Sequence, residues 1–141
     1  MTPGKSRIVA WVVPWAMPGL GVVRPTQFAV EPASLDQVSG VLVRGEVDVA
    51  AAPRLTAALD EAIRESSGTF IVDLCDVEFL DSSGVNVLVR ARAVLGREER
   101  ELVLICPPGP ARRIFEVAGI DDLLVLFDSR GQLAASLRPA A

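Results

Sequence analysis

From residue 27 onward the apolar positions of the chain switch between two spacings, and each switch marks the start of a new element. Residues 28–32 and 38–47 are rich in β-branched side chains with partial alternation, which predicts two β-strands, the second closing near Gly45. Pro53 then stands where a helix start tolerates it. Leu55, Ala58, Leu59, Ala62 and Ile63 share one face at helical spacing until Ser66, Ser67 and Gly68 stop the run. Residues 69–77 form an apolar run broken by Asp73, the pattern of a central strand covered on both faces. Beyond residues 81–84, Val87, Leu88, Ala91, Val94 and Leu95 recur every three or four positions and predict a second helix, and residues 102–106 predict the next buried strand. A third helix is expected over 110–118, with Ile114, Phe115 and Ala118 on one face and Gly119 as its stop. Residues 123–127 predict the last strand and 131–137 a short closing helix.

Strands separated by helices imply a mostly parallel sheet, because parallel neighbours need crossover connections and these are usually helical. Right-handed crossovers place most of those helices on one side. The expected class is α/β: a mostly parallel mixed β-sheet with helices packed mainly on one face.

The stretch before this pattern is different. In residues 1–26, Lys5 and Arg7 precede an apolar segment over 8–23, superficially the charged and apolar parts of a signal peptide. Pro14 and Pro18 interrupt it. Each proline removes a helical hydrogen bond, and roughly 20 apolar residues are needed to cross a bilayer, so the segment makes a poor membrane helix. It reads as a poorly ordered extension, an added edge segment or the product of an overlong start site, the loosely held extension being preferred. Residues 27–137 then form the domain and 138–141 a C-terminal tail.

Composition narrows the chemistry. A chain of 141 residues, 50% of them hydrophobic, suits one domain with one core. The net charge of −4 and the scatter of the 14 basic residues leave no basic stripe for a phosphate backbone, so direct nucleic-acid binding is not expected. Cys75 and Cys106 are far apart and each lies in an apolar run, which fits buried thiols of a reducing cytosol rather than a disulfide or metal site. The expected location is therefore cytoplasmic, with no membrane partner. Histidine is absent altogether, which removes Ser-His-Asp and Cys-His nucleophiles, His-ligated zinc and the commonest general base. No enzyme activity, cofactor or metal is expected.

The remaining candidate chemistry lies in Asp81-Ser82-Ser83-Gly84, between a predicted strand and a predicted helix. A helix N-terminus exposes unpaired N–H groups and partial positive charge, so a phosphate carried there is stabilised. The plain alternative is that Asp81 or Ser82 only caps the helix and Gly84 suits the turn. Context favours more than a cap: the tetrapeptide follows Phe70-Ile71-Val72-Asp73-Leu74 and Val77-Glu78-Phe79-Leu80, and it precedes Val85-Asn86-Val87-Leu88. In these residues the chain resembles the STAS family, particularly its single-domain anti-sigma-factor antagonists. The stretch from Gly45 to Leu55 resembles that family's acidic turn between second strand and first helix, and the stretch from Ile114 to Ile120 its third helix. The resemblance spans about residues 27–137.

What it implies is a partner switch. The unphosphorylated protein would bind an anti-sigma factor that is also a serine kinase, and so free a sigma factor. Phosphorylation at the second serine of the motif, Ser83 here with Ser82 as runner-up, would end that binding, and a serine phosphatase would restore it. Asp81, Ser82 and Gly84, together with Asp48 and Glu46 of the acidic turn, would form the partner surface. For Asp48 and Glu46 the plain alternative is a solvated turn or a helix cap, nearly as strong a reading for Glu46. Asn86 departs from the small residue that many relatives carry two positions after the glycine. STAS domains also serve as subunits of lipid-transport complexes, in stressosomes and at the ends of anion transporters, and fold alone does not choose among these roles. An intact acceptor serine favours the sigma-factor circuit. A hydrolase reading of Ser83 lacks a base, since no Gly-x-Ser-x-Gly elbow surrounds it and Lys5 is the only lysine.

Overall fold

The computed structural model describes residues 27–137; the readings made for 1–26 and 138–141 fall outside them. The strands are β1 (Ala29–Leu35), β2 (Val38–Val47), β3 (Phe70–Leu80), β4 (Leu102–Ile105) and β5 (Val125–Phe127). The helices are α1 (Ala52–Arg64), α2 (Ser82–Gly96), α3 (Pro110–Val117) and α4 (Arg130–Leu137). One five-stranded sheet runs in chain order, with β1 antiparallel to β2 and every later pair parallel. This is the mixed, mostly parallel sheet that the alternation of elements implied.

The core divides by sheet face. On one side Val41, Val43, Phe70, Val72, Leu74, Leu102 and Leu104 meet the apolar faces of α1, α2 and α3, with Leu59, Leu88 and Phe115 fully buried. On the other, Ile71, Val103 and Ile105 meet Leu133 and Ala134 of α4. Three helices thus share a face and the last covers its reverse. Two arginines fasten the ends of these layers. Arg100 donates to Ile63 O in the last turn of α1 and to Ser66 Oγ and Gly68 O in the segment that follows, tying the end of the helix to the start of β4. Arg112 donates to Cys106 O and Asp128 Oδ1.

Several predicted boundaries move, each for a local reason. β1 runs to Leu35 rather than residue 32, because Asp36 and Gln37 adopt φ of +55° and +72° and turn the chain straight into β2. Such a hairpin turn usually announces itself with glycine or asparagine, and this one has neither. β2 does not close at Gly45. That residue has φ +91°, and an added Cβ there would lie 2.5 Å from Gln27 O, so glycine admits the start of β1 while pairing continues to Val47. β3 continues past residue 77 to Leu80 because the end of β2 pairs with it. Ala118, expected on the buried face of α3, is exposed after the helix ends at Val117. β5 begins at Val125, not residue 123, since residues 121–123 form a turn. Cys106 is buried as expected, whereas Cys75 is only half-buried.

Candidate functional site

The parallel pairing of β2 and β3 brings two turns together. Val47 stands opposite Leu80, and Asp81 N donates to Val47 O at 3.3 Å, so the acidic turn after β2 and the serine turn after β3 leave the same edge of the sheet. The carboxyl ends of adjacent parallel strands are where α/β sheets ordinarily build their sites. All six residues singled out in the sequence lie there: Glu46, Asp48, Asp81, Ser82, Ser83 and Gly84.

Asp81 is the N-cap of α2, and its Oδ1 accepts from Ser83 N at 2.9 Å and Gly84 N at 3.3 Å. Val85 N donates to the Asp81 carbonyl. Three of the helix's first amides are therefore already used, and a phosphate on Ser83 would find fewer free donors than a bare helix start presents. The capping role and a partner role are compatible in Asp81, because the second carboxylate oxygen carries no part of the cap. Ser82 is exposed and Ser83 half-buried. Gly84 is buried for a packing reason, since an added Cβ would lie 2.5 Å from Leu80 Cδ1 and 2.8 Å from Val47 Cγ1.

In the acidic turn, Asp48 Oδ1 accepts from Ala51 N at 3.0 Å, and the Asp48 carbonyl accepts from Ala51 N and Ala52 N. The structural role weighed for both acids thus falls to Asp48, while Glu46 is exposed on β2. Both line a cleft of about 440 Å³ together with Phe28 and Arg54, whose guanidinium carbon sits 4.9 Å from the centre of the Phe28 ring. That stacking occupies one face of the guanidinium beside the two acids.

A family model described as "Mlab, STAS domain" matches residues 30–126. The chain belongs to the STAS domain family. It is 30% identical over 93 residues to the anti-sigma-B factor antagonist of Listeria monocytogenes, an alignment covering 66% of this chain and 82% of that protein. Among solved structures, an anti-sigma factor antagonist from Mycobacterium paratuberculosis superposes with a TM-score of 0.73 at 27% identity, covering 84% of this chain and all 100% of that one. The anti-sigma factor antagonist SpoIIAA in its unphosphorylated form shares the fold with a TM-score of 0.64 at 20% identity, covering 82% of this chain and 100% of its own.

The candidate site also contains residues that the sequence does not single out. Phe79 is 47% exposed beside Glu46, its partner in the register, and Val49 in the acidic turn is 71% exposed. In the sequence Phe79 looks like an ordinary core residue, and only the register shows otherwise. Elsewhere, burial pushes the thiol of Cys75 up to about 12, helped by its hydrogen bond to Asp73, and burial raises that of Cys106 to about 11. Thiols so protonated are weak nucleophiles and weak metal ligands. Among the described residues no group of three or more Cys, Asp or Glu is arranged to hold a metal ion, and no helix is long and apolar enough to cross a membrane.

Proposed function

We propose that this STAS domain is an anti-sigma-factor antagonist of the cytoplasm whose partner is an anti-sigma factor with serine-kinase activity. In this reading the unphosphorylated chain binds that partner and frees a sigma factor, phosphorylation of Ser83 ends the complex, and a serine phosphatase reverses it. The observation that carries the reading is the single edge formed by the serine turn and the acidic turn, with Val47 opposite Leu80. The name and extent of the Listeria relative point the same way.

The physics of the switch is electrostatic. A phosphate adds about −1.5 to −2 charges at neutral pH. On Ser83 it would stand two residues from the Asp81 carboxylate, which already holds the amides of Ser83 and Gly84, and on the edge that carries Asp48 and Glu46. A partner surface matched to the unmodified acids then meets excess negative charge. Each ~1.4 kcal/mol of repulsion weakens binding tenfold, so a few kcal/mol suffice without any change of fold.

The test uses the full chain and the purified anti-sigma-factor kinases of its host. Ser83→Ala is expected to bind one of them as the parent does and to accept no phosphate, while Ser83→Asp binds at least tenfold more weakly. Ser82→Ala should leave phosphate incorporation intact. Equal affinity of the two Ser83 variants for every such kinase overturns the switch, and incorporation lost in Ser82→Ala but retained in Ser83→Ala moves the acceptor to Ser82.

A further inference from the structure

The end of β3 is built in an unusual way. Leu42 pairs with Asp73 but Arg44 pairs with Asp76, and Gly45 pairs with Val77 but Glu46 pairs with Phe79. Twice, then, β3 spends one residue more than β2 over the same span, the mark of a β-bulge. The second irregularity decides which side chain is seen from outside. Val77 packs against the core under α1, α2 and α3, so unbroken alternation would send Phe79 inward and Leu80 outward. The extra residue reverses this. Leu80 is 2% exposed within the core, and Phe79 is left 47% exposed.

An exposed phenyl ring ordinarily forgoes the stabilisation that burial of a large apolar side chain supplies. Here Leu80 fills the core position and the larger ring is the one turned out. Acids prevail around it: Glu46 lies opposite in the register, Glu78 precedes it, and Asp48 follows within the adjoining turn, where Val49 is also exposed, while Arg54 stands as a cation beside Glu46 and Asp48. An apolar group within an acidic border is the complement of an apolar pocket edged by Lys or Arg, and aromatic side chains are over-represented among the few that dominate an interface.

We infer that Phe79 is the apolar anchor of the partner interface, inserted into a basic-rimmed pocket on the anti-sigma factor and setting which partner the chain accepts. The inference rests on the reading of the preceding section for the identity of that partner. The bulge makes Phe79 an outward contact on a rigid strand, immediately before the serine turn. Anchor and switch are thereby separate: the ring supplies contact area and the serine supplies the charge that repels.

The experiment measures the affinity of the full chain for the purified anti-sigma-factor kinase that separates Ser83→Ala from Ser83→Asp. If none separates them, the same variants are measured on the tightest-binding kinase. Phe79→Ala is expected to weaken binding roughly 30-fold or more, where interface hot spots begin. Phe79→Leu, which keeps an apolar side chain there, is expected to stay within about threefold. Because the ring is half-exposed, both should melt within about 3 °C of the parent. Binding by the parent should also weaken as salt rises from 50 to 500 mM, reflecting the acidic border. Phe79→Ala binding within twofold of the parent overturns the anchor while leaving the Ser83 switch standing. A loss shared equally by Ala and Leu overturns it too, since that would not be an apolar contact. Equal binding by the Ser83 variants together with a loss in Phe79→Ala would retain the anchor and discard the switch.

Discussion

Asp81 caps α2, and on the proposed switch the same carboxylate also has an electrical task; substitution can part the two. Asp81→Ala removes the acceptor of two amides at the start of α2 and is expected to lower stability by about 1 kcal/mol, the usual value of an N-cap, read as a shift in the denaturant midpoint. Asp81→Asn keeps an equally good cap without the charge. It should unfold like the parent yet lose less affinity on phosphorylation, because one of the repelling charges is gone. The cap was legible in the sequence, since Asp before Ser-Ser-Gly at a strand-to-helix boundary is local chemistry. The division of labour between Asp48 and Glu46 was not, because it depends on which of the two faces an amide of the turn. Nor was Phe79, whose exposure follows from pairing with a strand thirty residues earlier in the chain.

The elements were read correctly in kind and order, and the errors gather where pairing overrides local preference. Residues 78–80 carry Glu and Phe in a sequence that reads as a strand already finished, and only the partner strand β2 keeps them extended. The contact that fixes α4 was equally invisible. Asp73, in the sequence only an interruption of an apolar run, is fully buried, and its carboxylate accepts from Cys75 N and from Arg130 Nε at the start of α4. It thereby pins that helix to the face opposite the other three. Arg130→Ala would take a charged hydrogen-bond partner from a buried carboxylate and should cost on the order of 3 kcal/mol in equilibrium unfolding. Adding Asp73→Asn to Arg130→Ala is expected to recover part of the loss, since an amide is cheaper to bury than a carboxylate that has lost its arginine.

Taken as a whole, the chain has few groups that titrate near or above neutrality, and that simplifies its response to pH. With no histidine and no tyrosine, and with Lys5 as the only lysine, stability should be nearly flat from about pH 6 to 8 and then depend chiefly on the two thiols. Folding raises both above their ordinary 9.0, to about 12 for Cys75 and about 11 for Cys106, so it favours the protonated forms. That contribution is complete below about pH 9 and is lost as pH rises through the folded values. Denaturant midpoints measured at pH 7, 8.5 and 10.5 should therefore fall only at the last, and Cys106→Ala should shallow the fall. The same economy returns at the start of α2. Because Asp81 has taken the amides of Ser83 and Gly84, the domain keeps little with which to clasp a phosphate on Ser83. On the proposed switch, a mark held so loosely is easy to erase: a phosphatase would have no cradle to compete with, and the lifetime of the off state would be set by the cell's supply of that enzyme rather than by the domain itself.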